Sequence, residues 1–387
     1  RVSGDFLIEK LGVAEHHRRL LGRILEILEE EGILKRSGEQ WEVRKIPAAF
    51  SLEEYWRLLI QQYPAYQAEL VLVQRFGENF AKILTGELEP LTLIFPEGST
   101  NIAEHLYQDS PTFNIYNLLL QKTFSYMVNR LPGGRSIRIL EIGGGTGGSS
   151  SYVLPTLPEN RTEYIFSDVS QQFMTAAEQK LKNYPFVKYR ILDIESDPFA
   201  QGFEEHSFDV ILASNVLHAT RDLKATLENV KKLLTPRGLL VLLEGTHFSH
   251  SVDLIFGSLK GWWLFEDLDL RPSHPTLPLA KWRDLLAESG FSEVAWLSDA
   301  DAEKAEQSVI IAQYPDHREE PAGEENFVPV LPENPGKWLI FADRFGIAEE
   351  LANRFTALDE IPILISPGET FKEVEKNHFQ IQPDQPE

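Results

Sequence analysis

The chain has 387 residues, 42% of them hydrophobic, and a formal net charge of −22 at pH 7. This acidity disfavours nucleic-acid binding, because phosphate contacts need clustered Lys and Arg. The absence of cysteine excludes disulfides and thiolate chemistry, and it suits a cytoplasmic location. No signal-peptide pattern and no run of apolar residues long enough to span a bilayer is present, so we expect no membrane contact. The length predicts two or three domains, and because the chain starts at Arg1 we expect a fragment of a longer polypeptide.

The first region, residues 1–130, has mainly helical periodicity. Five early leucines and isoleucines recur at helical spacing: Leu20, Leu21, Ile24, Leu25 and Leu28. Gly32 follows as a C-cap, and a hairpin with its turn at Ser37-Gly38 comes next. A helix followed by a hairpin predicts a winged-helix-like start. DNA binding and a structural lid are the two interpretations, and the acidic charge favours the lid.

Strands and helices alternate through the second region, residues 131–315. The predicted strands are IRILEI, EYIFSD, VKYRILD, FDVILASNVLHAT, GLLVLLEG, FSEVAWL and SVIIAQY. Asp222 is the expected N-cap of the helix after the fourth strand, and LAKWRDLLAESG predicts a helix that ends at Gly290. The alternation predicts an α/β fold with a parallel sheet and helices on both of its faces.

The end of the chain changes character twice. Residues 316–336 are rich in Pro, Glu and Gly and predict a linker. The following segment, GKWLIFADRFGIAEELANRF, predicts a strand and a helix that begin another α/β unit, residues 337–387. This tail contains no glycine-rich loop.

A glycine-rich loop follows the first strand of the second region. Gly143, Gly145 and Gly148 form a literal G-x-G-x-x-G, which by itself indicates a dinucleotide site. However, Glu141 precedes them, and a carboxylate there would repel a pyrophosphate. S-adenosylmethionine instead offers a sulfonium and an ammonium, which favour a carboxylate. The pattern Glu-x-Gly-x-Gly-x-Gly, ending at Gly147, therefore predicts that cofactor rather than NAD.

Polar side chains end the next three strands. Asp168 is expected to accept hydrogen bonds from both ribose hydroxyls, and Asp193 to reach an adenine amino group. Asn215 is expected to line the cofactor pocket or to orient the substrate. Each also has a structural interpretation, because Asp and Asn are common caps at strand ends. With Glu141, however, the two aspartates place an acid at the end of three successive strands, where ligands of such sheets bind.

A histidine ends the fourth predicted strand, and a glutamate ends the fifth. His218 and Glu244 are 26 positions apart, so one helical crossover would place them on adjacent strands at the cofactor edge of the sheet. A carboxylate bonded to an imidazole fixes its tautomer and raises its basicity. The alternative is a structural histidine beside a capping carboxylate. His247 and His250 lack a third ligand, so we expect no metal site.

Five sequence motifs give the chain a family resemblance. LEIGGGTGG, FSDVS and ASNVLHAT resemble class I methyltransferases, and LLEGTH with GSLKGWWLFEDLDLRPSHPTLPLAKWRDLLAESGF resembles the C-methyltransferase domains of modular polyketide synthases. The similarity covers about residues 15–315. It implies a Rossmann-like sheet with helices on both faces, preceded by a mostly helical lid. The tail resembles the start of the structural half of a ketoreductase, without an NADPH site.

The resemblance also implies a reaction. It would be methylation by S-adenosylmethionine of the α-carbon of a β-ketoacyl chain held on an acyl carrier protein, next to other synthase domains. His218 and Glu244 match the family's catalytic dyad. Tyr107 and Tyr116 match its lid, where a hydroxyl would bind the acceptor carbonyl, and Trp262 would line the acyl channel. Packing in the core is the alternative for all three aromatic residues.

Three other functions remain open from the sequence. The first is O-methylation of a small metabolite on the same fold, since a histidine base serves both reactions. The second is a non-catalytic structural domain of a megasynthase. The third, an NAD oxidoreductase, is weakened by Glu141.

Overall fold

The computed structural model describes residues 1–48, 51–98, 102, 105–130, 135–298, 305–316, 337–342, 348, 351–352, 355–356, 361–368 and 370–381. The chain forms two compact units, Arg1–Arg318 and Glu319–Glu387. The boundary expected at residue 130 falls inside the first unit and stays a prediction. Nearly all of the predicted linker, residues 316–336, lies outside the described residues.

The first unit begins with helices and a small sheet. The helices are α1 (Gly4–Leu11), α2 (Arg18–Glu30), α3 (Leu52–Gln62), α4 (Gln67–Leu84), α5 (Leu91–Ile94) and α6 (Pro111–Arg130). The small sheet has the order β1-β3-β2, from β1 (Val2–Ser3), β2 (Leu34–Ser37) and β3 (Gln40–Val43). The predicted hairpin thus gains a third strand from the start of the chain.

A seven-stranded sheet forms the centre of this unit. Its strands are β4 (Ile137–Ile142), β5 (Thr162–Asp168), β6 (Val187–Ile191), β7 (Phe208–Ser214), β8 (Leu234–Gly245), β9 (Ser292–Leu297) and β10 (Gln307–Gln313). The helices between them are α7 (Gly148–Val153), α8 (Gln171–Lys180), α9 (Leu223–Leu233), α10 (His250–Ile255) and α11 (Leu279–Glu288). Within the described ranges, no helix combines the length and apolarity needed to cross a bilayer.

The expectation of a parallel sheet is wrong for one strand, β10. The order is β6-β5-β4-β7-β8-β10-β9, and strands β4 to β8 pair in parallel. Strand β10 inserts between β8 and β9 and is antiparallel to both. The reason is the short link between β9 and β10, because only antiparallel neighbours can be joined without a long crossover.

The core lies on both faces of this sheet, as the side-chain alternation of strands requires. Along β4, Leu140 and Ile142 join the cluster under α9 and α11, whereas Ile137 and Ile139 join the cluster under α6, α7 and α8. Trp282 of α11 is fully buried in the first cluster. The two buried layers hold the carboxyl ends of the parallel strands at one rigid edge.

The second unit contains a four-stranded sheet of order β11-β12-β14-β13. Its strands are β11 (Lys337–Phe341), β12 (Ile361–Pro367), β13 (Lys372–Glu375) and β14 (His378–Ile381). Strand β12 pairs in parallel with β11 and β14, and β13 is antiparallel to β14. The helix predicted after β11 falls largely outside the described residues.

A buried arginine clamps the segment that follows β7. Arg271 is 1% exposed, and its Nε donates to Asp267 Oδ1 at 2.6 Å. Its Nη1 donates to the carbonyl of His218 and its Nη2 to that of Thr220, both at 2.7 Å. Because unpaired buried charges and carbonyls are costly, this one side chain holds the backbone of the segment after β7 in place.

We expect Arg271→Met to destabilise the protein by about 3–5 kcal/mol, because the Asp267 carboxylate loses its cationic partner and the His218 and Thr220 carbonyls lose their donor. The measurement is urea unfolding of the whole chain. Lys224→Met is the control, since Lys224 makes an exposed ion pair with Glu288 and should cost at most about 1 kcal/mol. Equal unfolding midpoints for the two variants would contradict the clamp.

Candidate active site

The site lies at the point where the order of the parallel strands reverses. From β4 the chain proceeds to β5 and β6 on one side and then returns to β7 and β8 on the other. Ligands of open α/β sheets bind outside the carboxyl ends of the strands at such a point. The glycine loop follows β4, and the segment containing His218 follows β7.

Positive φ angles and close contacts shape the glycine loop. Gly143, Gly145 and Gly147 have φ values of 62°, 54° and 68°, which favour glycine. A Cβ on Gly143 would lie 2.3 Å from Val216 Cγ2, whereas a Cβ on Gly145 would meet nothing nearer than a backbone oxygen at 3.9 Å. The loop is therefore packed tightly against the protein at Gly143 and open to a ligand at Gly145.

The open side of this loop faces a small cavity of about 180 Å³, which we call the glycine-loop cavity. Its described walls are Phe95, Tyr107, Phe113, Asn117, Glu141, Gly143, Gly144, Gly145, Thr146, Gly148, Ser149, Phe173, Ser214, Asn215 and Leu243. Gly144 was not singled out from the sequence; it must be glycine because a Cβ there would lie 2.3 Å from the Phe166 ring. The space left open at Gly145 is what a closely bound cofactor requires.

Glu141 lies in the wall of this cavity and is 1% exposed. Its Oε2 accepts hydrogen bonds from Ser150 Oγ at 2.6 Å and from the Tyr164 hydroxyl at 2.8 Å. Burial raises the pKa of Glu141 to about 7, against the opposing effect of these two hydrogen bonds. A nearby cation would stabilise the ionised form of this carboxyl group and lower its pKa again.

The two other acids bond to loop residues: Asp168 bridges the glycine loop and the loop after β5, whereas Asp193 bonds within its own loop. Asp168 accepts the amide N–H of Gly145 at 2.9 Å and that of Ser170 at 2.8 Å. Asp193 accepts the Glu195 amide at 3.0 Å and the Ser196 hydroxyl at 2.8 Å. Neither carboxylate belongs to the described walls of the glycine-loop cavity. Contacts to ribose and adenine therefore stay predictions, and what the geometry does provide is local support of the backbone.

A larger cavity of about 780 Å³ adjoins the first, and we call it the acceptor cavity. Tyr107, Phe113 and Asn215 line both cavities. Asn215 has a φ of 52°, and its Nδ2 donates to Gln307 Oε1 at 2.8 Å. Gln307 was not singled out from the sequence, since 92 positions separate it from Asn215. The shared walls allow a ligand in one cavity to meet a ligand in the other.

His218 lines the acceptor cavity, and Glu244 contacts the His218 imidazole from the protein interior. The His218 Nδ1 lies 2.6 Å from Glu244 Oε2, and Glu244 is fully buried. Glu244 Oε1 accepts the amides of Leu217 at 2.9 Å and Val216 at 3.3 Å. The strand stops at Ser214, earlier than predicted, and His218 lies in the short 3₁₀ turn Leu217–Ala219 that follows it. The structure thus brings together the two residues that the sequence paired.

The three predicted aromatic residues have different positions. Tyr107 lies between the two cavities, and burial raises the pKa of its hydroxyl above the usual range. Trp262 lines the acceptor cavity, with its ring centroid 5.2 Å from that of His218. Tyr116 lies in the hydrophobic core, 2% exposed, and its hydroxyl accepts the Gln307 amide at 3.3 Å. The structure places Tyr116 outside the described cavity walls, because the ring of this α6 residue is buried in the core.

A buried ion pair in the site was missed by sequence analysis. Asp253 is fully buried and accepts hydrogen bonds from Arg23 Nε at 2.8 Å and His274 Nε2 at 2.7 Å. Burial works to raise the pKa of Asp253, but these partners hold it below its usual value. His274 lines the acceptor cavity. Arg23 lies 230 positions before Asp253, so no local pattern links them.

The two histidines after β8, His247 and His250, have separate surroundings. His250 Nε2 lies 2.9 Å from Glu30 Oε2, and His247 lines the acceptor cavity. Among the described residues, no group of three or more potential ligands is placed to hold a metal ion.

This fold and this site define the class. A family profile described as "Methyltransferase domain" matches residues 140–240, which include the glycine loop and β8 up to residue 240. The chain also resembles a solved trans-methyltransferase, CalH, in complex with S-adenosylhomocysteine, with 27% identity, a TM-score of 0.63, and 80% of this chain and 87% of that one covered. The protein is a methyltransferase with a class I fold, and its cofactor is S-adenosylmethionine.

Closer similarities define the family. The CurJ carbon methyltransferase is 43% identical, with a TM-score of 0.77, and the alignment covers 81% of this chain and 84% of that one. The CMeT domain of the citrinin polyketide synthase is 35% identical, with a TM-score of 0.73 and coverages of 79% and 80%. The chain belongs to the carbon methyltransferase domains of polyketide synthases.

The curated relatives are much longer proteins. The citrinin polyketide synthase of Monascus ruber is 35% identical over 311 residues, which are 79% of this chain but 12% of the relative. Relatives of this kind are multidomain polyketide synthases, and the chain spans about one eighth of their length.

Gly145→Glu should abolish binding of S-adenosylhomocysteine, because the new side chain would occupy the space that the loop leaves open. Calorimetric titration of the whole chain measures the loss, and NADH should bind neither protein. Gly290→Glu is a control with a comparable positive φ of 84° and no neighbour near its Cβ. Retained binding in the Gly145 variant would place the cofactor elsewhere.

Affinity for S-adenosylhomocysteine should rise roughly tenfold from about pH 6 to about pH 8. The free protein holds Glu141 with a pKa near 7, and a bound ammonium favours its ionised form, so affinity increases as the pH passes through this value. Calorimetry at several pH values tests this. Glu141→Gln cannot titrate and should give a flat profile. A wild-type profile as flat as that of the variant would remove Glu141 from ligand binding.

Proposed function

We propose that this domain methylates the α-carbon of a β-ketoacyl chain carried on an acyl carrier protein, with His218 as general base and Glu244 as its orienting carboxylate. The observation that carries the proposal is the 2.6 Å contact between His218 Nδ1 and Glu244 Oε2 in the wall of the acceptor cavity. That cavity shares walls with the glycine-loop cavity, where the methyl donor would be held.

Glu244 determines which nitrogen of His218 can act as the base. Its carboxylate already accepts two backbone N–H groups, so it acts as an acceptor towards the imidazole as well. Nδ1 then carries the proton, and Nε2 keeps its lone pair. Among the described residues, Nε2 makes no hydrogen bond, which leaves it available to the acceptor. This is the arrangement that a base working near neutral pH requires.

The proposed chemistry is a proton transfer followed by carbon–carbon bond formation. The α-hydrogen of a β-ketoacyl thioester is acidic, and Nε2 of His218 removes it, so that a C–H bond breaks and an N–H bond forms. The positive charge on the imidazole is balanced by Glu244. When bound, S-adenosylmethionine supplies an electrophilic methyl group for the resulting enolate carbon. Asn215 and Tyr107, which line both cavities, would position the two ligands.

The acceptor follows from the chemistry and from the relatives. Polyketide synthases hold their chains as carrier-bound thioesters, and the known relatives of this chain are such synthases. A cavity of about 780 Å³ is large enough to bury an acyl chain. An acyl carrier protein and neighbouring synthase domains are therefore the proposed partners.

Wild-type protein with S-adenosylhomocysteine should exchange the α-hydrogens of a β-ketoacyl acceptor for deuterium from solvent, because proton removal does not need the methyl donor. His218→Ala should lower this exchange by about 10²–10⁴-fold, and Glu244→Gln should lower it less, since the amide keeps the shape but not the charge. Mass spectrometry measures the exchange and, with the donor present, the methylated product.

His247→Ala is the matched control, since His247 lines the same cavity without a carboxylate partner among the described residues. It should keep both activities, and His218→Ala should keep its affinity for S-adenosylhomocysteine. Near wild-type exchange by His218→Ala would place the base elsewhere. A product methylated on oxygen would establish O-methylation instead and overturn the proposed reaction.

A further inference from the structure

One buried carboxylate in the wall of the acceptor cavity lacks a hydrogen-bond partner in the described part of the chain. Glu69 lies in the first turn of α4 and lines this cavity beside Leu70 and Val73. Both of its carboxylate oxygens are buried, and neither makes a hydrogen bond to another described residue. Burying such a group unpaired is unfavourable, so its position calls for an explanation.

The ordinary structural role of such a glutamate does not apply. Glu69 is the third residue of the helix, where a capping glutamate reaches back to the amide of the residue before the helix. That residue is Tyr66, and its amide instead donates to the Tyr63 carbonyl at 3.0 Å. The positive end of the helix dipole offsets part of the burial cost, but it makes no hydrogen bond.

The cavity provides no cation for Glu69. Among its described walls there is neither Lys nor Arg. Of its three histidines, His218 and His274 are held by other carboxylates, and His247 makes no hydrogen bond to Glu69. Since no described residue of the wall donates to Glu69, a ligand in the cavity is the partner that can supply the missing donor.

We propose that Glu69 accepts a hydrogen bond from an N–H or O–H group of the acceptor, and so selects acceptors that carry such a group. This inference rests on the proposed function. Tyr63 and Tyr66, 46% and 42% exposed, line the same wall and mark its outer part. The donor has two possible sources: the amides and hydroxyl of the phosphopantetheine arm, or a hydroxyl on the acyl chain.

The test compares Glu69→Leu with Glu78→Leu, the same change on an exposed part of the same helix, where Glu78 accepts only from Gln74 at 2.8 Å. Loss of a hydrogen bond to a charged group should raise the KM for the matching acceptor about ten- to a hundredfold, without loss of S-adenosylhomocysteine affinity. The melting temperature of the ligand-free Glu69→Leu protein should rise, because an unpaired buried carboxylate is gone. Glu78→Leu should change none of these three quantities.

Two pairs of synthetic acceptors identify the donor. The first pair is a β-ketoacyl pantetheine and the same acyl group as its ethanethiol thioester, whose thiol portion carries neither amide nor hydroxyl. The second is a β-ketoacyl pantetheine with and without a hydroxyl on its acyl chain. For each acceptor, the KM of Glu69→Leu is divided by the KM of wild type. This ratio should fall to one for the acceptor that lacks the hydrogen-bond donor. The pair in which the ratio falls identifies whether the donor belongs to the arm or to the acyl chain.

Four outcomes would overturn the inference, one of them by overturning the proposed function on which it rests. A ratio of one with every acceptor means that Glu69 contacts none of them. A lower melting temperature in Glu69→Leu, together with weaker S-adenosylhomocysteine binding, means that the carboxylate is structural. If wild-type protein methylates none of these acceptors and shows no deuterium exchange, the proposed function itself fails. If wild type does methylate them while both variants match it, only the role of Glu69 is lost.

Discussion

The buried carboxylate of Glu244 is the interaction on which the site depends. It lies at the end of β8, is fully buried, and reaches across to the segment that follows the neighbouring strand β7. One oxygen accepts the backbone amides of Val216 and Leu217, and the other meets the His218 imidazole. Removing any of these partners would leave a charge unpaired in the protein interior, so the backbone and the ring are fixed together. Arg271 fixes the same segment from its carbonyl side.

The topology of the sheet then brings two ligands to one place. Because the strand order reverses between β4 and β7, the glycine loop and the His218 segment face the same crevice. Tyr107, Phe113 and Asn215 separate the two cavities and belong to both. A donor and an acceptor held in these adjoining cavities, as proposed, would react within one complex rather than by chance encounter.

The helical start of the chain is part of this site. Arg23 of α2 reaches Asp253 of α10, which in turn holds His274 in the wall of the acceptor cavity. Trp262 packs in one cluster with Leu20 and Leu21 of α2. Helix α4 supplies another part of the same wall. The N-terminal helices therefore shape the acceptor cavity, while the central sheet positions the glycine loop and the His218 segment.

The local sequence pattern was enough to predict much of the fold and part of the candidate site. Strand and helix periodicity predicted most elements of the central sheet, and the Glu-x-Gly-x-Gly-x-Gly string with its flanking strand predicted the cofactor loop. The pairing of His218 with Glu244 also followed from sequence, because parallel strands joined by one crossover end at the same edge. These inferences depend on side-chain spacing within a few residues and on chain direction, which the sequence contains.

Only the tertiary structure decided the rest. It turned β10 antiparallel, directed Asp168 towards the glycine loop and Asp193 towards its own loop, and buried the Tyr116 ring of α6 in the core. It also brought Arg23 to Asp253 across 230 positions. A helix or a strand is specified by neighbours along the chain, but a partner at that distance is chosen by packing and by the need to satisfy buried charge. Neither leaves a signal in the spacing of residues.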